Sequence, residues 1–226
     1  MTARLVATGL RLAFGATQAL DGIDLHVGAG EIVAVMGPSG SGKSTLMHCL
    51  AGILRPDSGE VHFDGVRLDN QNERKRDAIR LRQFGFVFQF GDLVPELTLL
   101  ENVALPLQLL GFRRSVAEHR ARALLDRLEV ADAADRTAAA ASGGQVQRAA
   151  VARALVHQPS VVFADEPTGA LDTVTGELVL DAFVDLAREN GSSVVLVTHA
   201  ADVAAVSNRE VVLRDGRVAV AAVDRT

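Results

Sequence analysis

The sequence predicts an α/β protein: a core of buried strands, an antiparallel β part at the start and a helical insertion in the middle. Three observations carry this reading. Ile32-Val33-Ala34-Val35-Met36, Val161-Val162-Phe163-Ala164 and Val194-Val195-Leu196-Val197 are continuous apolar runs of strand length, as strands covered on both faces require. The first run ends in a glycine-rich loop and then a helix-like segment over 44–51. Between the first and second runs, apolar residues recur at helical spacing over 99–110 and 116–128, so the region from about 73 to 156 reads as mainly helical.

The elements follow in order. Before residue 36, short runs such as Leu5-Val6-Ala7 and Ile23-Asp24-Leu25 are broken by Gly9, Gly15, Gly22, Gly28 and Gly30, a pattern of strands and turns. Pro56-Asp57-Ser58-Gly59 forms a turn into Val61-His62-Phe63. A helix near 175–188 separates the second and third apolar runs. The end, 210–220, reads as a hairpin around Asp215-Gly216, a favoured two-residue turn. The whole chain, 1–226, reads as a single domain with a helical subdomain at about 90–157.

Composition limits function. Of the 226 residues, 48% are hydrophobic, enough for a sizeable core. A net charge of -5 argues against nucleic acid as a partner. Arg74, Lys75, Arg76, Arg80 and Arg82 are interleaved with Asp77 and apolar residues, so the cluster reads as a solvated helix face. The single cysteine, Cys49, excludes a disulfide framework and reads as core. The N-terminus has no apolar signal region. The most apolar stretch, 97–112, contains Glu101, Asn102 and Pro106 and is too short to span a bilayer. The expectation is a chain without direct membrane insertion, which would reach a membrane only through a partner.

Gly37-Pro38-Ser39-Gly40-Ser41-Gly42-Lys43-Ser44 matches the phosphate-loop pattern in full. By chance, such a match in a chain this long arises on the order of one time in a hundred. The glycines let successive N–H groups point at phosphates, and the helix that follows adds its positive end. Lys43 would reach the β- and γ-phosphates, Ser44 would ligate Mg²⁺, and Thr45 continues the binding segment. Downstream, Val161-Val162-Phe163-Ala164 runs into Asp165-Glu166. Asp165 would hold Mg²⁺, directly or through water. Glu166, turned elsewhere by one residue, would orient or deprotonate the attacking water.

Ser142-Gly143-Gly144-Gln145, followed by Val146-Gln147-Arg148 and a helical stretch, resembles the signature of the ABC ATPases. It offers a hydroxyl and two glycine N–H groups at a helix start, a second anion site; an ordinary helix cap is the plainer reading. The order of the motifs is also that of the ABC family, and the resemblance covers essentially the whole chain. No Asn-Lys-x-Asp guanine-recognition sequence is present. The resemblance implies a P-loop core of ABC type with an antiparallel β subdomain and a helical signature subdomain. It also implies ATP and Mg²⁺ as ligands. Gln89 looks like the glutamine that contacts Mg²⁺ and senses the γ-phosphate. Ala170-Leu171-Asp172 looks like the loop that crosses between subunits, and His199 like the switch histidine. Phe14 sits where the family often stacks an aromatic on adenine. Lys43, Gln89, Glu166 and His199 are thus the implied catalytic set.

Phe88-Gln89, Pro95-Glu96-Leu97-Thr98, Glu101-Asn102-Val103 and Pro106-Leu107 look most like the lipoprotein-releasing, macrolide-exporting and cell-division members. That implies an ATPase at the cytoplasmic face of the cell membrane, held there by a transmembrane permease, with a second copy of the chain in a head-to-tail dimer. The 90–100 segment, with Leu93, Val94 and Leu97 among exposed-loop residues, is expected to face the permease. Two alternatives stay open: a soluble family member acting on ribosomes or DNA, and a subunit that binds ATP with little turnover. The chain departs from the family at Ala141, where leucine is usual, at Ala200, where aspartate is common, and over Arg136-Thr137-Ala138-Ala139-Ala140, where a proline often stands.

Overall fold

The chain order in the computed structural model is β1 (Ala3–Phe14), β2 (Thr17–Gly28), β3 (Ile32–Met36), α1 (Lys43–Leu50), β4 (Ser58–Phe63), β5 (Val66–Arg67), α2 (Glu73–Gln83), β6 (Phe84–Val87), α3 (Leu99–Leu109), α4 (Arg114–Arg127), α5 (Gly143–Leu155), β7 (Val161–Asp165), α6 (Thr173–Glu189), β8 (Ser193–Val197), α7 (Ala201–Ala204), β9 (Arg209–Arg214) and β10 (Arg217–Asp224). Short 3-10 turns precede α5 at Ala131–Ala133 and Ala138–Ala140. Residues 3–89 and 92–224 are described, with side chains through 219. Phe90 and Gly91, the start of the segment expected to face a permease, lie outside the described residues. The chain divides into two compact units, Met1–Arg80 with Gly191–Thr226, and Leu81–Asn190.

In the first unit, β2-β1-β4-β5 form an antiparallel sheet. On either side of the register shift between Ala7 and Leu10 the buried residues fall at every second position, Leu5 and Ala7, then Leu10 and Leu12 in β1, as do Ile23, Leu25 and Val27 in β2, as a sheet with one wet face requires. Four further strands run in the order β10-β9-β3-β8. β3 is flanked in parallel by β8 and β9, which explains why Ile32, Val33, Ala34 and Val35 are all buried. At the β9–β10 hairpin, Asp215 and Gly216 have φ of 50° and 72°, the double left-handed turn that their sequence predicts. Cys49 is buried in α1, and burial pushes its thiol up to about 12.

The basic cluster needs correction. Arg74, Lys75 and Arg82 are exposed, but Arg76 is buried and ion-paired with Glu73. Arg80 donates to the Gly52 carbonyl at 2.5 Å. The local charge pattern did not show this, because what draws Arg80 inward is a carbonyl 28 residues away.

In the second unit, β6 and β7 pair in parallel, Phe84 with Val161 and Val87 with Ala164. β6 lies inside the stretch read as mainly helical. It is a strand because its partner lies far along the chain, and because Gly85 admits α5: a Cβ there would stand 2.2 Å from the Ala154 carbonyl. Phe84, Phe86 and Phe163 pack ring against ring across the pair. The family-like stretch before and within α3 turns out to be architectural. Thr98 and Glu101 form a reciprocal cap. The buried Asn102 side chain accepts from the Val94 N–H at 2.7 Å and donates to the Val94, Leu97 and Thr98 carbonyls. The alanine-rich departure at 136–140 bonds to this same segment, Leu99 N–H to the Arg136 carbonyl at 2.9 Å and Ala138 N–H to that of Leu97 at 3.0 Å.

Candidate functional site

In the first unit, β3 delivers the chain into the loop 37–44 and α1 takes it away. Gly37, Gly40 and Gly42 have φ of 145°, 78° and 100°, values that residues with a Cβ seldom adopt. Two of them are also pinned sterically. A Cβ on Gly37 would stand 2.2 Å from the Leu213 carbonyl, and one on Gly42 2.4 Å from that of Ala19. Around Gly40 nothing lies within 4 Å of that position, so its backbone can be approached closely. Pro38 and Ser39 complete the turn, and the Pro38 carbonyl accepts from the Ser41 N–H at 3.2 Å.

The electrostatics suit an anion. α1 starts at Gly42 with no side-chain cap and no acidic residue in its first turn, so its leading N–H groups around Ser44 and Thr45 present the positive end of the helix. Lys43 Nζ donates to the Gly37 and Pro38 carbonyls at 2.8 and 2.9 Å, which holds the ammonium over the loop. Ser41 Oγ is buried without a hydrogen-bond partner among the described residues, a cost that a bound phosphate oxygen would offset.

Two other predicted residues belong to this unit. His199 follows β8, whose Val197 pairs with Val35 of β3. It is exposed, while the preceding Thr198 is fully buried and takes the Ala200 N–H on its hydroxyl at 3.1 Å. The carboxyl ends of two neighbouring parallel strands thus carry the phosphate loop and His199. Phe14 closes the β1–β2 hairpin and is 54% exposed, so a ring face is available for stacking rather than committed to the core.

In the second unit, β6 and β7 end side by side and carry Gln89 and Asp165-Glu166. A Cβ on Gly169 would be 3.0 Å from Gln89 Nε2 and 3.4 Å from Glu166 Cβ, so both side chains crowd the same glycine. Glu166 has φ of 47°, a left-handed conformation that costs a residue with a side chain on the order of 1 kcal/mol or more. The following Pro167 biases it toward extended backbone instead. Such a conformation persists only where its surroundings hold it. Here the Glu166 carbonyl accepts from the Gly169 N–H at 3.0 Å.

Ser142 caps α5 in a reciprocal box with Gln145: Oγ accepts from the Gln145 N–H at 3.3 Å, and the Gln145 side chain accepts from the Ser142 N–H at 3.0 Å. The ordinary helix cap is therefore realised. It uses only an acceptor site of Ser142, and the hydroxyl proton remains a donor. Gly143 is exposed, with nothing within 4 Å of a Cβ position. Asp172 caps α6, accepting from the Thr175 N–H at 3.0 Å. That bond and the Thr175 side chain hold its carboxyl below the usual range.

Each unit thus gathers part of the predicted set: Phe14, 37–45 and His199 in the first, and Gln89, 142–145, Asp165, Glu166 and Asp172 in the second. Sequence reasoning assigned no role to Gln147, whose amide contacts are described below. Its place in the run Gln145-Val146-Gln147 was the available signal. No helix among the described residues is long and apolar enough to cross a membrane.

Residues 20–169 match the model of the ABC transporter family. The chain is 41% identical over 206 residues, covering 91% of it and 90% of the relative, to a lipoprotein-releasing system ATP-binding protein of Hyphomonas neptunium. It is 46% identical to one from Caulobacter vibrioides, with 89% and 87% covered. Among solved structures it resembles a dimeric ATP-binding cassette in a post-hydrolysis state bound to ADP and phosphate, at 36% identity and a TM-score of 0.89, with 97% and 98% of the two chains covered.

Proposed function

Because the chain belongs to the ABC transporter ATP-binding family, we propose that its ATPase powers a separate membrane permease, of export or force-transmitting type, from the cytoplasmic face. The observation that carries the nucleotide site is the phosphate loop. It combines three left-handed glycines, an uncapped helix start and a lysine held over the loop by two loop carbonyls.

The residues then divide the work. The N–H groups of 37–45 bind the β- and γ-phosphates, and Lys43 exchanges its carbonyl partners for phosphate oxygens, neutralising charge as it builds up. Phe14 stacks on the base. Ser44, Gln89 and Asp165 supply a hydroxyl, an amide oxygen and a carboxylate, hard oxygen donors that suit Mg²⁺. Glu166 orients the water and takes its proton, and His199 contacts the γ-phosphate. Ser142, Gly143, Gly144 and Gln145 meet the γ-phosphate bound to a second copy, head to tail, with Asp172 at the crossing. The lipoprotein-releasing relatives and the dimeric cassette support the permease and the pair.

The segment before α3 is the proposed permease contact. Val94 there is 38% exposed, beside half-buried Leu93 and Leu97. Phosphate release from Mg-ATP by the purified chain, lost in Lys43→Ala, tests the enzyme. Purification from native membranes should recover an integral membrane protein. Leu93→Cys and Leu97→Cys should crosslink to it, and crosslinks confined to the chain itself would end the docking proposal.

A further inference from the structure

Gln147 is 2% exposed in the second turn of α5. Its amide nitrogen donates to the Pro167 carbonyl at 2.5 Å and to the Phe88 carbonyl at 3.0 Å. One carbonyl belongs to the residue after Glu166 and the other to the residue before Gln89. Both protons of one buried amide are thus spent on the two turns that leave β6 and β7. A buried glutamine whose only task was to fill space would more cheaply be a leucine or methionine. Glu166 sits in a left-handed conformation before a proline, and the second hydrogen bond that pins this turn comes from Gln147.

We propose that Gln147 is a positioning residue for hydrolysis: it fixes the Glu166–Pro167 and Phe88–Gln89 turns to the helix that Ser142 caps. A shift of the α5 start, the element proposed to contact a second copy's nucleotide, then moves Glu166 and Gln89 together. Gln147 touches neither substrate nor water and acts through those two side chains. The inference rests on the reading of Glu166 as the water-orienting carboxylate.

Two variants of the full chain test it, with Glu166→Gln in parallel. Gln147→Met keeps the length and removes both donors. Its kcat should fall about 10-fold or more, since small misplacements of reacting groups carry effects of that size, while KM for Mg-ATP and the affinity for a fluorescent ATP analogue stay within about 2-fold. Gln147→Glu keeps the shape but sets a carboxylate against two carbonyls. Burial raises a carboxyl pKa, and the neutral acid regains one O–H donor. Its kcat relative to the parent should therefore rise as pH falls from 8 to 6, a dependence that simple loss of packing does not produce. A kcat within 2-fold of the parent in Gln147→Met, or in Gln147→Glu at pH 8, overturns the proposal. So does a loss of turnover that tracks loss of folded protein or of nucleotide binding, with no pH-dependent recovery in Gln147→Glu. If Glu166→Gln itself hydrolyses ATP at near the parent rate, the reading of Glu166 fails, whatever the Gln147 variants do.

Discussion

At the phosphate loop of the first unit, a Cβ on Gly37 or Gly42 would press to 2.2 or 2.4 Å from the carbonyls of Leu213 and Ala19. At the start of α5 in the second unit, Gly143 has open space around the same position, and Gly144 meets only the Thr175 methyl at 3.3 Å. The first pair of glycines also has positive φ, and the second does not. Glycine is needed in the phosphate loop because the chain's own backbone leaves no room and no other conformation. At Gly143 the chain's own packing does not call for it, while at Gly144 a methyl would make the Thr175 side chain give by a few tenths of an ångström. At Gly143, in the first turn of the helix, alanine would be better by up to about 1 kcal/mol, and no neighbouring atom within 4 Å of its Cβ position offsets the difference. The phosphate loop is preformed, whereas the α5 start at Gly143 is bare. Glu166 adds a third case, a strained backbone at a residue that is not glycine, held by hydrogen bonds from Gly169 and Gln147.

The largest effect should come from the strained turn. Glu166→Gln should lower kcat by at least ~10²-fold, the scale of a lost general base, while ATP binding by equilibrium titration is unchanged. Near-normal turnover would mean that the strained turn presents some other group.

Gly37→Ala should destabilise the fold by about 3 kcal/mol or more, since it adds overpacking to backbone strain. Urea unfolding of the nucleotide-free chain reads this directly. A shift below about 1 kcal/mol would remove the contrast between the two glycine pairs.

A mixing experiment asks what approaches the bare surface. Lys43→Ala and Ser142→Arg chains should each be inactive alone. In a head-to-tail dimer, the mixture holds one site with both defects and one with neither, so ATPase activity should return in proportion to the heterodimer fraction. Heterodimers that form with Mg-ATP and stay at background activity would assign Ser142 to its own chain's nucleotide.

Gly143→Ala is the smallest and sharpest comparison. The isolated chain should gain a few tenths to about 1 kcal/mol of stability from helix propensity, while ATPase activity falls because a methyl now stands where the second copy's phosphates should come. Loss of stability would show an internal need for Gly143. Unchanged activity would show that nothing approaches it.

Much of this molecule is local and so could be read from residue order. The phosphate loop is a contiguous run whose glycines, lysine and following helix act together. Thr98 and Glu101, or Ser142 and Gln145, cap helices across three residues. Asp215-Gly216 turns a hairpin within its own span. Each of these depends on neighbours in the chain. Phe84-Gly85-Phe86-Val87 shows the opposite. Four residues carry too little periodicity to separate strand from helix, and the answer came from Val161–Asp165, some 75 residues on, together with the closeness of the Ala154 carbonyl.

What the sequence alone determined is the inventory: the P-loop, the acidic pair, the Ser-Gly-Gly-Gln run and the order in which they come, with the family that this order identifies. Tertiary structure decided the rest. It turned Arg76 and Arg80 inward from a helix that reads as wet. It put Glu166 in a left-handed turn, and it gave Gln147, the buried glutamine of α5, two carbonyls from segments 59 and 20 residues away. For Arg80 and Gln147 the physical reason is the same. Local patterns record which face of an element avoids water, whereas a buried polar group is placed by the partner that satisfies it, and that partner can lie anywhere in the chain.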